Sequence, residues 1–165
     1  EQEGTYPLPE AQLDRFLVQI DVPYPSLEAE RRMLFATTGN EEAVASAALT
    51  SKELMTAQRL TRTLPVGDQV ADTILKVVRA ARPGPDADPY INENVAWGPS
   101  PRAAQALMLG SRARALLQGR LAPSIDDVLA LLNPVFKHRM SVNFAARAEG
   151  RSVADVIAKL AQTLA

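Results

Sequence analysis

Two arginines stand where a guanidinium could meet a polyanion: Arg102, after Gly98-Pro99-Ser100-Pro101, and Arg15, after Pro9-Glu10-Ala11-Gln12-Leu13-Asp14. Ser100-Pro101 reads as a helix opening, because a proline's missing N–H is harmless at the first helical position. Arg102 then lies in the first turn, facing the positive end of the helix dipole, a mismatch of roughly 0.3–1 kcal/mol at an exposed site. An anion placed there reverses the sign, since dipole, free N–H groups and guanidinium all attract it. The guanidinium suits phosphate because its charge is permanent and its donors form a planar fork. Arg15 falls where a short helix, opened by Pro9, meets an alternating segment. A cation there also satisfies the last carbonyls of a helix. The plain alternative is a solvated surface role for Arg102 and a helix-end cation for Arg15, and residue type alone leaves the readings open.

The elements that would hold these arginines are mostly helical. Residues 16–22 alternate, with Phe16, Val18, Ile20 and Val22 on one side, which predicts a half-buried strand. A lone strand is not stable in water, so this one needs a sheet that the chain does not supply. Pro23 and Pro25 end it. Ser26 caps a predicted helix through Thr37, and residues 39–48 read as a connector. Ser51 starts a helix closed by Pro65-Val66-Gly67. Residues 68–82 place Val70, Ile74, Val77, Val78 and Ala81 on one stripe, the pattern of a packed helix. Pro83-Gly84-Pro85-Asp86 breaks it, and 82–98 reads as a long exposed excursion. The Ser100-Pro101 helix runs to Leu117 with Gly119 as its stop. Ser124 with Asp127 opens a helix that Pro134 is expected to interrupt or kink. Residues 140–144 suggest a brief strand, and Ser152 with Asp155 opens a last helix. The expected architecture is mainly α: a helical bundle preceded by a short helix–strand piece.

Composition limits the function classes. In 165 residues, 47% hydrophobic and 22% charged content is ordinary for a globular domain. A net charge of −1 argues against a general nucleic-acid or anionic-membrane surface. No cysteine is present, which excludes disulfides and thiolate metal sites. No apolar run approaches the ~20 residues a membrane helix needs. None of the eight glycines is followed by lysine, so a G-x-x-x-x-G-K-[ST] phosphate loop is absent from these residues. No apolar strand ends in an Asp-Glu pair that could hold magnesium.

The stretch from Glu1-Gln2-Glu3-Gly4 through Pro9-Glu10-Ala11-Gln12-Leu13-Asp14-Arg15-Phe16 resembles the MoxR family of AAA+ ATPases nearly without departure. Gly98-Pro99-Ser100-Pro101-Arg102 resembles that family's second-sensor motif. Ala115-Leu116-Leu117-Gln118-Gly119-Arg120, Pro123 with Asp126-Asp127-Val128, and Pro134 through His138-Arg139 are similar to stretches of its lid. Ala81-Arg82, where Thr-Arg is usual, and the Pro-rich stretch after Arg82 depart from the pattern. The resemblance implies a C-terminal portion: residues 1–25 as the end of the α/β nucleotide-binding core, and 26–165 as a helical lid of the AAA+ type. A start at Glu1 fits a piece of a longer chain. For the parent it implies ATP and Mg2+ as cofactors, a ring of subunits, usually a hexamer, and a cytoplasmic location. It implies chaperone-like remodelling or metal-insertion work beside von Willebrand factor A domain proteins. Arg102 would reach the γ-phosphate of its own subunit, and Arg15 would be the finger reaching the neighbour's nucleotide. This piece alone would hydrolyse no ATP and hold no cofactor. Competing readings are a free-standing helical interaction module and a lid of the magnesium-chelatase or clamp-loader branch. The latter expects a basic surface that the charge balance disfavours.

The remaining candidates read as structural. His138 is the single histidine, suited to packing or hydrogen bonding rather than a metal site. Arg112, Arg114 and Arg120 read as a solvated face, since Arg112 and Arg114 are two apart and point apart on a helix. Glu41, Glu42, Asp86 and Asp88 read as exposed loop acids. Trp97 reads as a packing anchor beside the Gly-Pro-Ser-Pro turn.

Overall fold

The computed structural model describes residues 8–39 and 45–164; Glu1 through Pro7 and the acids Glu41 and Glu42 lie outside the described residues. Residues 8–19 and 60–164 form one compact unit, and 20–59 form another. The division expected at residue 25 separates a nucleotide core from a lid, whereas these units are defined by packing alone.

Four helices enclose the core of the first unit: α4 (Asp68–Ala80), α6 (Pro101–Leu117), α7 (Ile125–Phe136) and α9 (Val153–Gln162). The stripe on α4 buries Val70, Ile74, Val77 and Val78, as its spacing dictates. The buried residues of α6 are mostly small (Ala103, Ala106, Ser111, Ala115, with Leu107), so α7 lies close against it and fills the space with Leu132 and Phe136. Each large apolar side chain so buried contributes about 1.5–3 kcal/mol. The helix openings are those read from the sequence. Ser100 Oγ accepts from Arg102 N at 3.1 Å, and Asp127 Oδ2 accepts from Ser124 N at 2.8 Å. Asp155 Oδ2 accepts from Ser152 N at 2.8 Å. Gly119 takes the left-handed conformation (φ 72°) that closes α6.

Three expectations are corrected. Residues 82–98 are not an exposed excursion. After the Pro-rich turn, Asp88 caps α5 (Pro89–Asn94), which leads into β1 (Val95–Trp97), with Ile91, Asn94 and Val95 buried. β1 pairs antiparallel with β2 (Ser141–Val142), the brief strand expected near there, and α8 (Phe144–Ala148) follows under an Asn143 cap. A run this short, carrying Pro, Asp and Asn, has too little periodicity to reveal its buried residues in advance. Of the two outcomes expected at Pro134, an interruption or a kink, the interruption does not occur, since α7 continues to Phe136. The bond it forgoes is to the carbonyl of Ala130, an exposed position where water can replace the donor.

The third correction concerns 16–22, which form no strand. After the short α1 (Glu10–Leu13), the chain passes through turns and then has no regular structure to Ser26. Val18 packs against the core, while Leu17, Ile20 and Val22 are exposed. The alternation is genuine, but the segment pairs with no strand among the described residues. The carbonyls of this segment are taken by side chains instead, as described below.

In the second unit, Ser26 Oγ accepts from Ala29 N at 3.3 Å and opens α2 (Leu27–Thr38). Glu53 accepts from Thr50 N at 2.8 Å at the start of α3 (Ser51–Thr63), whose last turn belongs to the first unit. Neither helix buries a residue. Among the described residues no helix is long and apolar enough to cross a membrane.

Candidate functional site

Gly98 sets the approach to the site. A Cβ on it would lie 2.4 Å from the Ala81 carbonyl oxygen and 2.8 Å from Arg82 Cα, so only glycine lets this loop rest on the end of α4. Arg82 Nε donates to Pro99 O at 2.7 Å and fixes the loop from that side. Ser100 and Pro101 then launch α6, and Arg102 emerges in its first turn with its side chain 53% exposed.

Asp14 meets this helix start. Ser100 Oγ donates to the Asp14 carboxylate (2.8 Å to Oδ2, 3.0 Å to Oδ1). Arg102 Nε stands 3.8 Å from Oδ2, and Arg139 Nε donates to Oδ1 at 3.2 Å. Arg139, 2% exposed, is the centre of a wider network. Its Nη1 donates to Val135 O (2.7 Å) and Leu17 O (3.2 Å), its Nη2 to Asp14 O (3.1 Å) and Phe16 O. His138 Nε2 donates to Phe16 O at 3.2 Å, and Gln19 N to Pro134 O at 2.8 Å. Segment 14–19 is therefore stapled to the C-terminal end of α7 by donors that satisfy the carbonyls a strand would have used. Burial pulls Arg139 below the ordinary guanidinium range, and Asp14 opposes it. His138 performs the hydrogen-bonding role expected of it, and burial holds it below the ordinary imidazole range, with the Phe16 carbonyl opposing.

The staple brings Arg15 and Arg102 onto one open pocket of about 560 Å³, together with Arg62, Arg112 and Arg139. Asp14 is the sole carboxylate among the described lining residues, so five guanidinium groups face one acid. Such a pocket attracts anions, and its forks fit phosphate oxygens. It does not fit magnesium, because its single carboxylate is already engaged by Ser100 and Arg139. Sequence reasoning singled out Arg15 and Arg102 but not Asp14, Arg62 or Arg139 as site residues. A signal for Arg112 existed: Arg102, Gln105, Ala106, Leu109 and Arg112 follow helical spacing along one face of α6.

The supposed solvated face is also corrected. Arg120 forms a fork on the buried Asp127 (Nη1–Oδ2 2.7 Å, Nη2–Oδ1 2.6 Å), and Arg114 Nε lies 3.2 Å from the same carboxylate. The Gly119-Arg120 and Asp126-Asp127 stretches are thus two halves of one clamp between α6 and α7. Arg112 has no part in it and lines the pocket, its buried Nε without a partner among the described residues.

These groups make stability fall in acid. The Arg120 fork holds Asp127 down at about 2. The unfolded carboxyl, with its higher ordinary pKa, then binds protons first, so this contribution is complete above about pH 4 and lost as pH falls through about 2. At about 1.4 kcal/mol per unit it amounts to roughly 2 kcal/mol. His138, lowered in the fold, adds a loss that begins as pH drops below its ordinary value of about 6.5. Urea unfolding from pH 8 to pH 3 should show decreasing stability, and Asp127→Asn should flatten the part below pH 4. A curve for Asp127→Asn parallel to the parent's would refute the assignment.

Residues 89–160 match the AAA lid domain family. The chaperone MoxR1 of Mycobacterium tuberculosis is 36% identical over 166 residues, covering all of this chain and 44% of that protein. The uncharacterised protein YeaC of Bacillus subtilis is 32% identical over 161 residues, covering 97% of this chain and 48% of that one. A crystal structure of a presumed ATPase from Cytophaga hutchinsonii superposes with a TM-score of 0.88 at 26% identity, over 98% of this chain and 50% of that one. The chain thus spans about half the length of the relatives it matches.

Proposed function

This chain belongs to the MoxR-type AAA+ proteins and carries their lid domain, and we propose that its pocket presents Arg15 and Arg102 to the triphosphate of ATP in a ring ATPase. A single observation supports this: both arginines lie on one pocket of one compact unit, with Arg62, Arg112 and Arg139 beside them. Arg15 is the finger and Arg102 the second sensor, and the shared pocket favours one nucleotide meeting both, rather than Arg102 serving its own subunit and Arg15 the next. The phosphate loop and the ligands of Mg2+ are supplied from outside this chain. Guanidinium groups so placed stabilise charge as it develops on the transferred phosphoryl group. Closing and opening of the lid on nucleotide turns that chemistry into movement of one domain against another. The wider setting is a cytoplasmic ring, a hexamer, engaged in chaperone-like remodelling or metal insertion beside a von Willebrand factor A domain partner.

The test on this chain uses inorganic tripolyphosphate, followed by calorimetry at low salt. Arg15→Ala and Arg102→Ala should each weaken binding by about ten- to a hundredfold, the loss of one charge-assisted contact. Absence of binding by the intact chain, or binding by both variants as tight as that of the intact chain, would sink the reading.

A further inference from the structure

Asp14 makes contacts of two grades with one carboxylate. Ser100 Oγ and Arg139 Nε lie within hydrogen-bond distance, at 2.8 and 3.2 Å, and Arg139 is buried. Arg102 Nε is farther, at 3.8 Å, on a half-exposed side chain. The first pair joins segment 14–19 to α6 and α7. The last is a loose ion pair open to solvent, of the kind that exchanges partners readily. Asp14 also lies in the only place on the pocket wall, among the described residues, where negative charge meets the start of α6.

We propose that Asp14 is a positioning residue that holds the place of a phosphate: its carboxylate keeps Arg102 at the mouth of α6 until nucleotide arrives. This rests on the pocket being the phosphate site. A phosphate group, with more charge and more oxygens than a carboxylate, takes Arg102 over, while Asp14 keeps Ser100 and Arg139 and so keeps Arg15 docked beside it. The exchange costs little because only the loose contact breaks. Arg102 is therefore presented in a fixed direction without being locked away, and the arginine on the stapled segment and the arginine on the helix remain one unit during the exchange.

Tripolyphosphate titration of the 165-residue chain separates this from its foundation. Asp14→Asn removes the competing charge and should tighten binding about five- to tenfold, the scale of one nearby charge in a solvated site. In an Arg102→Ala background only the through-space relief of charge remains, without the release of Arg102, so the same change should tighten binding clearly less than in the intact chain. Unchanged or weaker binding by Asp14→Asn, or equal tightening without Arg102, overturns the placeholder role and leaves the anion pocket standing. Failure of the intact chain to bind overturns both. Should Asp14→Asn unfold, the intact chain still decides by NMR. On adding tripolyphosphate, the Asp14 carboxyl carbon and Arg102 Hε should shift, while Arg139 Hε stays in place and protected from exchange. Movement of Arg139 Hε, or a static Asp14 carboxyl, overturns the proposal.

Discussion

In a ring whose subunits contain this chain, Arg15→Ala is expected to lower ATP turnover by about 10³–10⁵-fold, the worth of an arginine finger. ATP affinity in the ring should change little, because the phosphate loop, rather than the arginines, dominates the grip on the ground state. Contact made chiefly in the transition state appears in rate and not in binding. Steady-state turnover beside equilibrium binding of a non-hydrolysable analogue checks this. Mixing distinguishes the geometry. Arg15→Ala subunits combined with subunits lacking a phosphate loop should recover activity at the interface where intact parts meet. Arg15→Ala combined with Arg102→Ala should not recover, because two arginines serving one nucleotide from one pocket leave no site with both. Recovery in that second mixture would mean that they serve different nucleotides, and the shared-pocket reading would fall.

That this pocket existed could not be read from the chain, although its two named arginines could. Arg102 was legible because Ser-Pro sets a helix start by local chemistry, and Gly98 stands where the loop touches the end of α4. Helix boundaries followed for the same reason: Ser100, Gly119, Ser124 and Ser152 act within three or four residues of themselves. What failed was non-local. The alternation in 16–22 gave a period and no partner, and the partner proved to be a guanidinium more than a hundred residues away. Arg139 looks, in the sequence, like any cation near a helix end. Its burial follows from three carbonyls that converge on it only once segment 14–19 is in place. Asp127 was read as half of a capping box, which it is, but its larger role as the anchor of Arg120 needs the turn at Gly119 to fold back first.

Arg139→Ala should be among the most destabilising single changes in the molecule, costing about 3–5 kcal/mol, the scale for breaking a buried charge pair. Three effects act together. Asp14 loses the cation that offsets its burial, the carbonyls of Asp14, Phe16, Leu17 and Val135 lose a donor, and a cavity opens at the end of α7. Asp14→Ala should cost less, since Arg139 keeps its carbonyl partners, and the double variant should show a coupling of about 0.5–3 kcal/mol because the two share one network. Arg139→Lys cannot replace it: a single ammonium cannot reach carbonyls spread around a planar fork. Urea unfolding supplies the energies, and amide exchange at Gln19 reports the staple itself, since its N–H is held by Pro134 O. If only the staple is lost, Gln19 exchanges early while amides of α4 and α9 stay protected. If the whole core depends on Arg139, all three exchange together. A cost below about 1 kcal/mol, with Gln19 still protected, would mean that segment 14–19 is held by Val18 packing alone. Arg15 would then owe its place on the pocket to apolar contact, and the polar network beneath it would be incidental.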